Sequence, residues 1–155
     1  MTRWAFMAAV ATCVTLAACN KAEGPAAAVS EAEATKLADA MVKAWESRNP
    51  ARIKSIYAPS IVAFDYAAGP LEADRATFDK AQDVFAQAGI DSEEQIARKI
   101  QLIDANTFIV SGVWNGTSKD HPENNGQVRC TDVFHKAPGG DWGIVNEHCS
   151  VMPKA

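Results

Sequence analysis

The stretch that most constrains the fold of this chain is its last part, residues 127–153. Two runs rich in strand-forming residues flank a short turn that contains Pro138, Gly139 and Gly140. Proline presets φ and glycine accepts positive φ, so the pattern predicts a β-hairpin. Each run mixes apolar and polar residues on both faces, so neither face is simply exposed to solvent. We therefore expect a sheet with one covered face, and a remaining chain that folds to cover it.

The first residues predict export. At 155 residues, the chain is long enough for one domain plus a leader. A short positive start precedes an apolar stretch that is too short to span a bilayer as a stable helix. Its end, Leu16-Ala17-Ala18-Cys19, resembles the lipobox of bacterial lipoproteins, which implies cleavage before Cys19 and lipidation of that cysteine. Residues 1–18 are therefore interpreted as a lipoprotein signal peptide. An ordinary secretory signal with an incidental cysteine is the alternative.

The segment after the signal predicts an anchor and a tether. Residues 19–29 begin with Cys19 and are rich in alanine, which is typical of a linker. The folded domain then covers residues 30–153. Asn20, rather than Asp, follows the cysteine, and by resemblance to enterobacterial sorting this predicts the outer membrane. We expect the domain to face the periplasm and to contact the membrane through the lipid on Cys19.

The four cysteines have different expected fates. Cys13 lies inside the leader and is lost, and Cys19 carries lipid. Cys130 and Cys149 remain, nearly opposite each other in the predicted hairpin and in an oxidising compartment. They form a disulfide or stay as two buried thiols that pack as small hydrophobic side chains. The spacing does not decide between these two alternatives.

Capping signals mark the first two helices. Ser30 with Glu33 three residues later is a capping box, and apolar residues then recur at helical spacing to about Ser47. Asn49 and Pro50 are typical of a helix start, so they predict a second helix. The expected apolar face of the second helix is Ile53, Ile56 and Tyr57.

The remaining pattern alternates once between strand and helix and then continues as sheet. Residues 61–66 predict a short strand, and Asp74 predicts the start of a third helix that ends near Gly89. Two strands follow, over residues 95–103 and 107–115, before the final hairpin. The residues expected to share one face of the first of these strands are Ile96, Ile100 and Leu102. The order predicts an α+β fold with three helices packed on one face of a mainly antiparallel sheet.

The order and several local strings resemble the nuclear-transport-factor-2-like superfamily, which includes SnoaL-like polyketide cyclases, ketosteroid isomerase and the association domain of calcium/calmodulin-dependent kinase II. The most specific string has Trp142, Ile144, His148 and Ser150 at the family's spacing, Trp-x-Ile-x-x-x-His-x-Ser. Arg129-Cys-Thr also resembles the Arg-x-Thr of the preceding strand. The resemblance covers about residues 30–153. It implies a cone-shaped fold with a curved sheet.

The resemblance to ketosteroid isomerase implies specific site residues. Asp65 falls at the position of the catalytic base, and Asp132 falls near that of an acidic hydrogen-bond donor. Met41 stands where a tyrosine donor is expected, so the isomerase set is incomplete. Burial in an apolar cone would raise the pKa of a carboxyl group there, which permits acid–base chemistry near neutral pH. The alternatives are a strand-end hydrogen bond for Asp65 and a surface ion pair for Asp132.

Either set of alternate side chains of the hairpin could face inward, and the two choices predict two different pockets. By resemblance to the kinase association domain, the inward residues are Asp132, Phe134, Val145, Glu147 and Cys149. The outward residues are then Trp142, Ile144, His148 and Ser150, on a face that often forms dimers in this superfamily, so the resemblance implies a homodimer. If the other set of side chains faces inward, Arg129 enters the pocket, which is then polar and binds a carboxylate.

Three functions follow from these predictions. The first is a lipid-anchored module that binds a small apolar or amphipathic molecule in its cone; its expected ligand-binding residues are Trp45, Trp114, Arg129, Phe134 and Glu147. The second is an isomerase or cyclase that uses Asp65 as the base. The third is a structural dimerisation domain, in which residues such as Trp45 only fill the core.

Other classes of function find no support in the sequence. A formal net charge of −4 without a basic stripe gives no reason to expect nucleic acid as a partner. The histidines show no metal-ligand spacing, and no glycine-rich phosphate loop precedes a helix. We therefore expect neither a metal nor a cofactor.

Overall fold

The computed structural model describes residues 28–64, 70–85, 87 and 89–153. Their elements follow the predicted order of two helices, a strand, a helix and four strands. These elements are α1 (Glu31–Glu46), α2 (Pro50–Ser55), β1 (Tyr57–Phe64), α3 (Arg75–Phe85), β2 (Ser92–Asp104), β3 (Thr107–Thr117), β4 (Gly126–Lys136) and β5 (Trp142–Val151). A short 3₁₀ turn, Pro122–Asn124, lies between β3 and β4. No helix among the described residues is both long and apolar enough to cross a membrane.

The strands form one mainly antiparallel sheet in the order β1-β5-β4-β3-β2. β1 pairs with β5 in parallel, and every other neighbouring pair is antiparallel. The predicted α+β class is therefore confirmed. Of the helices, α1 has 16 residues and α3 has 11, whereas α2 has only 6. The helical cover is thus mainly two long helices, and α3 enters the chain after β1.

Helix α1 begins at a side-chain cap and packs its apolar face on the sheet. The backbone N–H of Glu33 donates a hydrogen bond to Ser30 Oγ at 3.2 Å, as the capping-box pattern predicts. Its buried residues recur at helical spacing and are Ala34, Ala38, Met41, Ala44 and Trp45. Asp39 forms an ion pair with Arg98 of β2 at 2.7 Å. α1 therefore lies across the inner face of the sheet, against β2.

The core fills the space between the helices and the inner face of the sheet. Phe108 of β3 lies opposite Phe134 of β4, and their rings stack with centroids 4.5 Å apart. Ile61 of β1, Phe78 of α3 and Ile144 of β5 are fully buried in the same cluster. Removal of each such side chain from water stabilises the fold by about 1.5–3 kcal/mol.

A β-bulge in β5 corrects the predicted facing of the hairpin. Val133 pairs with Asn146, but the next residue, Phe134, pairs with Ile144, so Val145 is an extra residue in β5. Between the start of β5 and the bulge, the insertion reverses which side chains face the core. Ile144 is consequently fully buried and Val145 only partly buried. The prediction that Val145 faces inward and Ile144 outward was therefore wrong.

The same bulge turns Trp142 towards the core. The Trp142 ring packs against Phe108, with ring centroids 5.2 Å apart. Its indole N–H donates a hydrogen bond to Glu33 Oε1 of α1 at 2.9 Å. Trp142 therefore connects the start of β5 to the first helix, and its predicted place on the outer face was wrong.

The boundary between α2 and β1 also differs from the prediction. Tyr57 was expected on the apolar face of the second helix, but it begins β1. Pro59 explains the change, because a proline disfavours helical geometry at the preceding residue, here Ala58. The guanidinium group of Arg75 donates hydrogen bonds to the carbonyl oxygens of Tyr57 at 2.8 Å and Lys54 at 2.9 Å. These bonds fix the chain where it leaves α2.

A second bulge lies in β2. Gln95 pairs with Trp114, and Ala97 pairs with the adjacent Val113. Ile96 is therefore an extra residue in β2. Ile96 is exposed, whereas Ile100 packs against the core. The prediction that Ile96 shares the face of Ile100 was therefore wrong.

Candidate functional site

A cavity of about 920 Å³ lies between α1, the end of α3 and the inner face of β3, β4 and β5. Residues 123–127 and 151–153 form part of its wall. Its lining residues are Met41, Trp45, Phe85, Ile90, Glu93, Trp114, Gly116, Glu123, Asn124, Asn125, Gly126, Gln127, Val128, Cys130, Asp132, Glu147, Cys149, Val151, Met152 and Pro153. The volume suits a small organic molecule.

Aromatic side chains form one wall of the cavity. The Trp45 and Phe85 rings meet edge to face, with centroids 5.3 Å apart. The guanidinium carbon of Arg48 lies 4.2 Å from the centroid of the Phe85 ring, in a cation–π contact. Arg48 also forms an ion pair with Glu93 at 3.0 Å. These contacts join the end of α1 to α3 and β2.

Two buried carboxyl groups lie on the floor of the cavity. Asp132 of β4 and Glu147 of β5 are directly opposite each other in the strand pairing. Each residue is only 2% exposed, although both line the cavity. Burying a carboxylate is costly unless it is paired or hydrogen-bonded, so two such groups together are unusual in a core.

A chain of hydrogen bonds reaches this carboxyl pair from the helical layer. The Tyr57 hydroxyl donates to Glu147 Oε2 at 2.6 Å, and the Trp45 indole N–H donates to the Tyr57 hydroxyl oxygen at 3.1 Å. All three residues are buried. Tyr57 therefore orients the Glu147 carboxyl group, and Trp45 orients Tyr57.

A disulfide lies beside the carboxyl pair. The structure joins Cys130 and Cys149, whose Cα atoms are 4.1 Å apart across β4 and β5. Each cysteine lies two residues from one of the two acids, on the same side of its strand. The disulfide and the carboxyl pair thus form adjacent cross-strand rungs on the cavity floor.

This arrangement can bind and exchange protons with a ligand. An ionised carboxylate accepts hydrogen bonds, and a protonated carboxyl group can also donate one. Among the described residues, no group of three or more His, Cys, Asp or Glu side chains could hold a metal ion. The two carboxyl groups themselves support hydrogen bonding and proton transfer.

Comparison with known families decides the classification. A family model described as the SnoaL-like domain matches residues 35–154. The chain belongs to the SnoaL-like domain family. No curated protein is significantly similar to it in sequence.

Solved structures share the fold of this SnoaL-like domain. A candidate calcium/calmodulin-dependent protein kinase II association domain from Xanthomonas campestris is 27% identical over 85% of this chain and 97% of its own, with a TM-score of 0.66. A ketosteroid isomerase-like protein from Erwinia carotovora is 12% identical over 79% and 96%, with a TM-score of 0.67. A candidate dehydratase from Streptomyces avermitilis is 18% identical over 79% and 96%, with a TM-score of 0.63. The last two show the fold alone.

The SnoaL-like domain brings several of the predicted site residues together. Asp132, Glu147, Trp45 and Trp114 all line the cavity. Phe134 instead belongs to the core, where it is 3% exposed and does not line the cavity. The predicted residues that line the cavity are therefore the carboxyl pair and two tryptophans.

Other predicted residues lie elsewhere. Arg129 points to the outer face of the sheet, where its Nε donates to Ser150 Oγ at 3.0 Å, so it is not part of the cavity. Asp65 and Cys19 lie outside the described residues.

Tyr57 is the main site residue whose role was not predicted from the sequence. Because Tyr57 was assigned to an apolar helix face, its hydroxyl group was not expected to take the place of the missing tyrosine donor. Pro59 was the signal that could have corrected this, because it predicts extended geometry at Ala58 and therefore an earlier strand. The cavity residues after β5, Met152 and Pro153, gave no recognisable signal in the sequence.

The cross-strand disulfide should contribute measurably to stability. We expect the double substitution Cys130→Ala with Cys149→Ala to lower the free energy of unfolding by roughly 3 kcal/mol, because it releases a closed loop in the unfolded chain. Urea denaturation monitored by circular dichroism measures the change. Adding a thiol reductant should destabilise the unsubstituted protein and leave the double variant unchanged. Equal sensitivity of both proteins to the reductant would contradict the disulfide.

Proposed function

We propose that this domain binds a small, largely apolar molecule in its cavity and holds the polar end of that molecule at the Asp132–Glu147 pair. The observation that carries the proposal is the placement of two buried, opposed carboxyl groups on the floor of a cavity of about 920 Å³. Known ligand pockets of about 300–1,000 Å³ have mainly apolar walls and a few convergent polar groups, and this cavity has both features.

The polar groups define the chemistry of the ligand. The Tyr57 hydroxyl donates to Glu147 Oε2, so its proton is already used and it positions the acid. The carboxyl groups then offer acceptors and, when one is protonated, a donor. A hydroxyl or carbonyl group on the ligand fits this floor. Its apolar body would contact Met41, Trp45 and Trp114 on the walls.

A matched pair of substitutions tests binding in the cavity. Val128 lines the cavity, whereas Val133 of the same strand alternates to the outer face. We expect Val128→Trp to weaken binding of the neutral apolar dye Nile red by roughly tenfold or more, because the larger side chain occupies the ligand's space. Val133→Trp adds the same volume on the other face and should bind the dye normally. Dye fluorescence measures both affinities.

The outcome separates the cavity from the protein surface. Thermal unfolding of both variants establishes that each is folded at the temperature of the titration. Equal dye binding by the two folded variants would place the dye outside the cavity and contradict the proposal.

A second candidate function is proton transfer at the same pair. It is favoured by the hydrogen-bonded chain from Trp45 through Tyr57 to Glu147, which orients an acid as an acid–base site requires. Structural relatives with a similar fold include a ketosteroid isomerase-like protein and a candidate dehydratase. In this candidate, Glu147 and Asp132 exchange the proton, in place of the Asp65 base that the sequence comparison indicated.

Exchange of carbon-bound protons tests this chemistry. The apolar ketone 2-tetralone, incubated with the protein in D₂O, should lose its α-protons faster than in buffer, as followed by proton NMR. Glu147→Gln and Asp132→Asn should each slow the catalysed exchange by roughly 10²-fold, because each removes a group that carries the proton. Glu123→Gln, at the cavity wall, removes a more exposed carboxylate as a control. An unaccelerated or Glu147-independent exchange would rule out this second function.

We also propose that the domain works at a membrane surface, tethered through lipid on Cys19. The support is the Leu-Ala-Ala-Cys string directly after an apolar stretch of the leader. The periplasmic face of the outer membrane is the proposed location. A tether that ends before Val29, which packs in the core and donates a hydrogen bond to the Asp104 carbonyl oxygen, would leave the cavity free to meet ligands near that surface.

Substitution of Cys19 and of Cys13 tests the anchor. In a bacterial host, Cys19→Ser should abolish incorporation of radiolabelled palmitate and move the protein from the membrane to the soluble fraction, because the thiol is the lipid acceptor. Cys13→Ser, inside the leader, should change neither result. Palmitate incorporation that persists in the Cys19→Ser variant would contradict the anchor.

A further inference from the structure

A second depression lies on the outer face of the sheet, on the opposite side from the cavity. It has a volume of about 540 Å³. The polar residues that line it are Lys99, Ser111, Arg129, Thr131, His148 and Ser150, together with Arg98, whose side chain pairs with Asp39 of α1. We refer to this depression as the outer groove.

The strand register places these groups in two adjacent rows. Lys99 pairs with Ser111, Ser111 with Thr131, and Thr131 with His148, so one row crosses four strands. Arg129 pairs with Ser150 in the neighbouring row. Neighbouring strands lie about 4.8 Å apart, so adjacent donors in a row are within reach of one small ligand.

The described acidic residues do not compensate the positive charge of the outer groove. Among the described residues, no aspartate or glutamate lines it. Arg48, Arg75 and Arg98 each form an ion pair with an acid, whereas Arg129 and Lys99 form none with any described residue. Two cations without an ion pair to any described residue therefore line one depression, in a chain whose formal net charge is −4.

One contact also fixes the orientation of the arginine. Arg129 Nε donates to Ser150 Oγ at 3.0 Å, which holds the guanidinium plane across β4 and β5. The terminal nitrogens of Arg129 make no hydrogen bond to the described residues, so they stay available to a ligand. A planar guanidinium matches the two oxygens of a carboxylate or phosphate group.

The geometry points to an oxyanion-binding site in the outer groove. A phosphate or carboxylate group would bind between the Arg129 guanidinium and the Lys99 ammonium groups. The hydroxyl groups of Ser111 and Thr131, on the floor between them, would donate hydrogen bonds to its oxygens. This site is separate from the cavity, and it takes an anionic ligand where the cavity offers carboxyl groups.

Titration with two simple anions tests the site. Inorganic phosphate and succinate are added separately to the purified, isotopically labelled chain at constant low ionic strength, and binding is followed by amide chemical shifts. Saturable shifts should centre on residues 99, 111, 129 and 131. Arg129→Gln should weaken the tighter-binding anion by roughly tenfold, because it removes charge-assisted hydrogen bonds. The tighter probe identifies the anionic group that the site prefers.

A matched control keeps the result specific. Arg52→Gln removes the same charge from an exposed arginine of α2 and should leave the anion affinity unchanged. Equal weakening by both variants would show a general charge effect and overturn the proposal. Absence of saturable anion binding would overturn it too. One cause of that result would be a second copy of the chain that covers the outer face. Sedimentation would then show a dimer, and Thr131→Trp would dissociate it.

Discussion

The pairing of β4 with β5 is the constraint on which both faces of the sheet depend. Because side chains alternate along a strand, this register sends Asp132 and Glu147 inward and Arg129 and His148 outward. A shift by one residue would exchange the two sets and place the basic residues in the cavity. The disulfide between Cys130 and Cys149 holds the register two residues from the carboxyl pair. The chemistry of the cavity thus follows from one strand alignment.

The carboxyl pair is retained at an energetic cost. Two buried acids on one cavity floor stabilise the fold less than apolar residues of similar volume would. The Tyr57 hydrogen bond to Glu147 offsets part of that cost and also fixes the acid's orientation. Buried titratable groups in a cleft are typical of functional sites, because ligand binding and proton transfer need groups that bulk water does not solvate. The local rule of an apolar core is therefore broken at the place where a ligand would bind.

Much of the architecture could be predicted from sequence because its signals are local. The cap at Ser30, the helical spacing after it and the turn around Gly139 each reflect a few neighbouring residues, and the element order followed from them. The β5 bulge could not be predicted in this way, since a one-residue insertion at Val145 depends on the partner strand. The bulge turns Ile144 towards the core, whereas Glu147 faces inward as the superfamily resemblance implies.

The most direct test of the account is the protonation of the carboxyl pair. Carboxyl carbon shifts of Asp132 and Glu147, followed by NMR against pH, report when each group loses its proton. We predict that the two acids titrate as a coupled pair, because the strand register places them opposite each other on the cavity floor. Glu147→Gln should then change the pH at which Asp132 loses its proton. Two acids that titrate independently, with Asp132 unaffected by Glu147→Gln, would contradict a shared site.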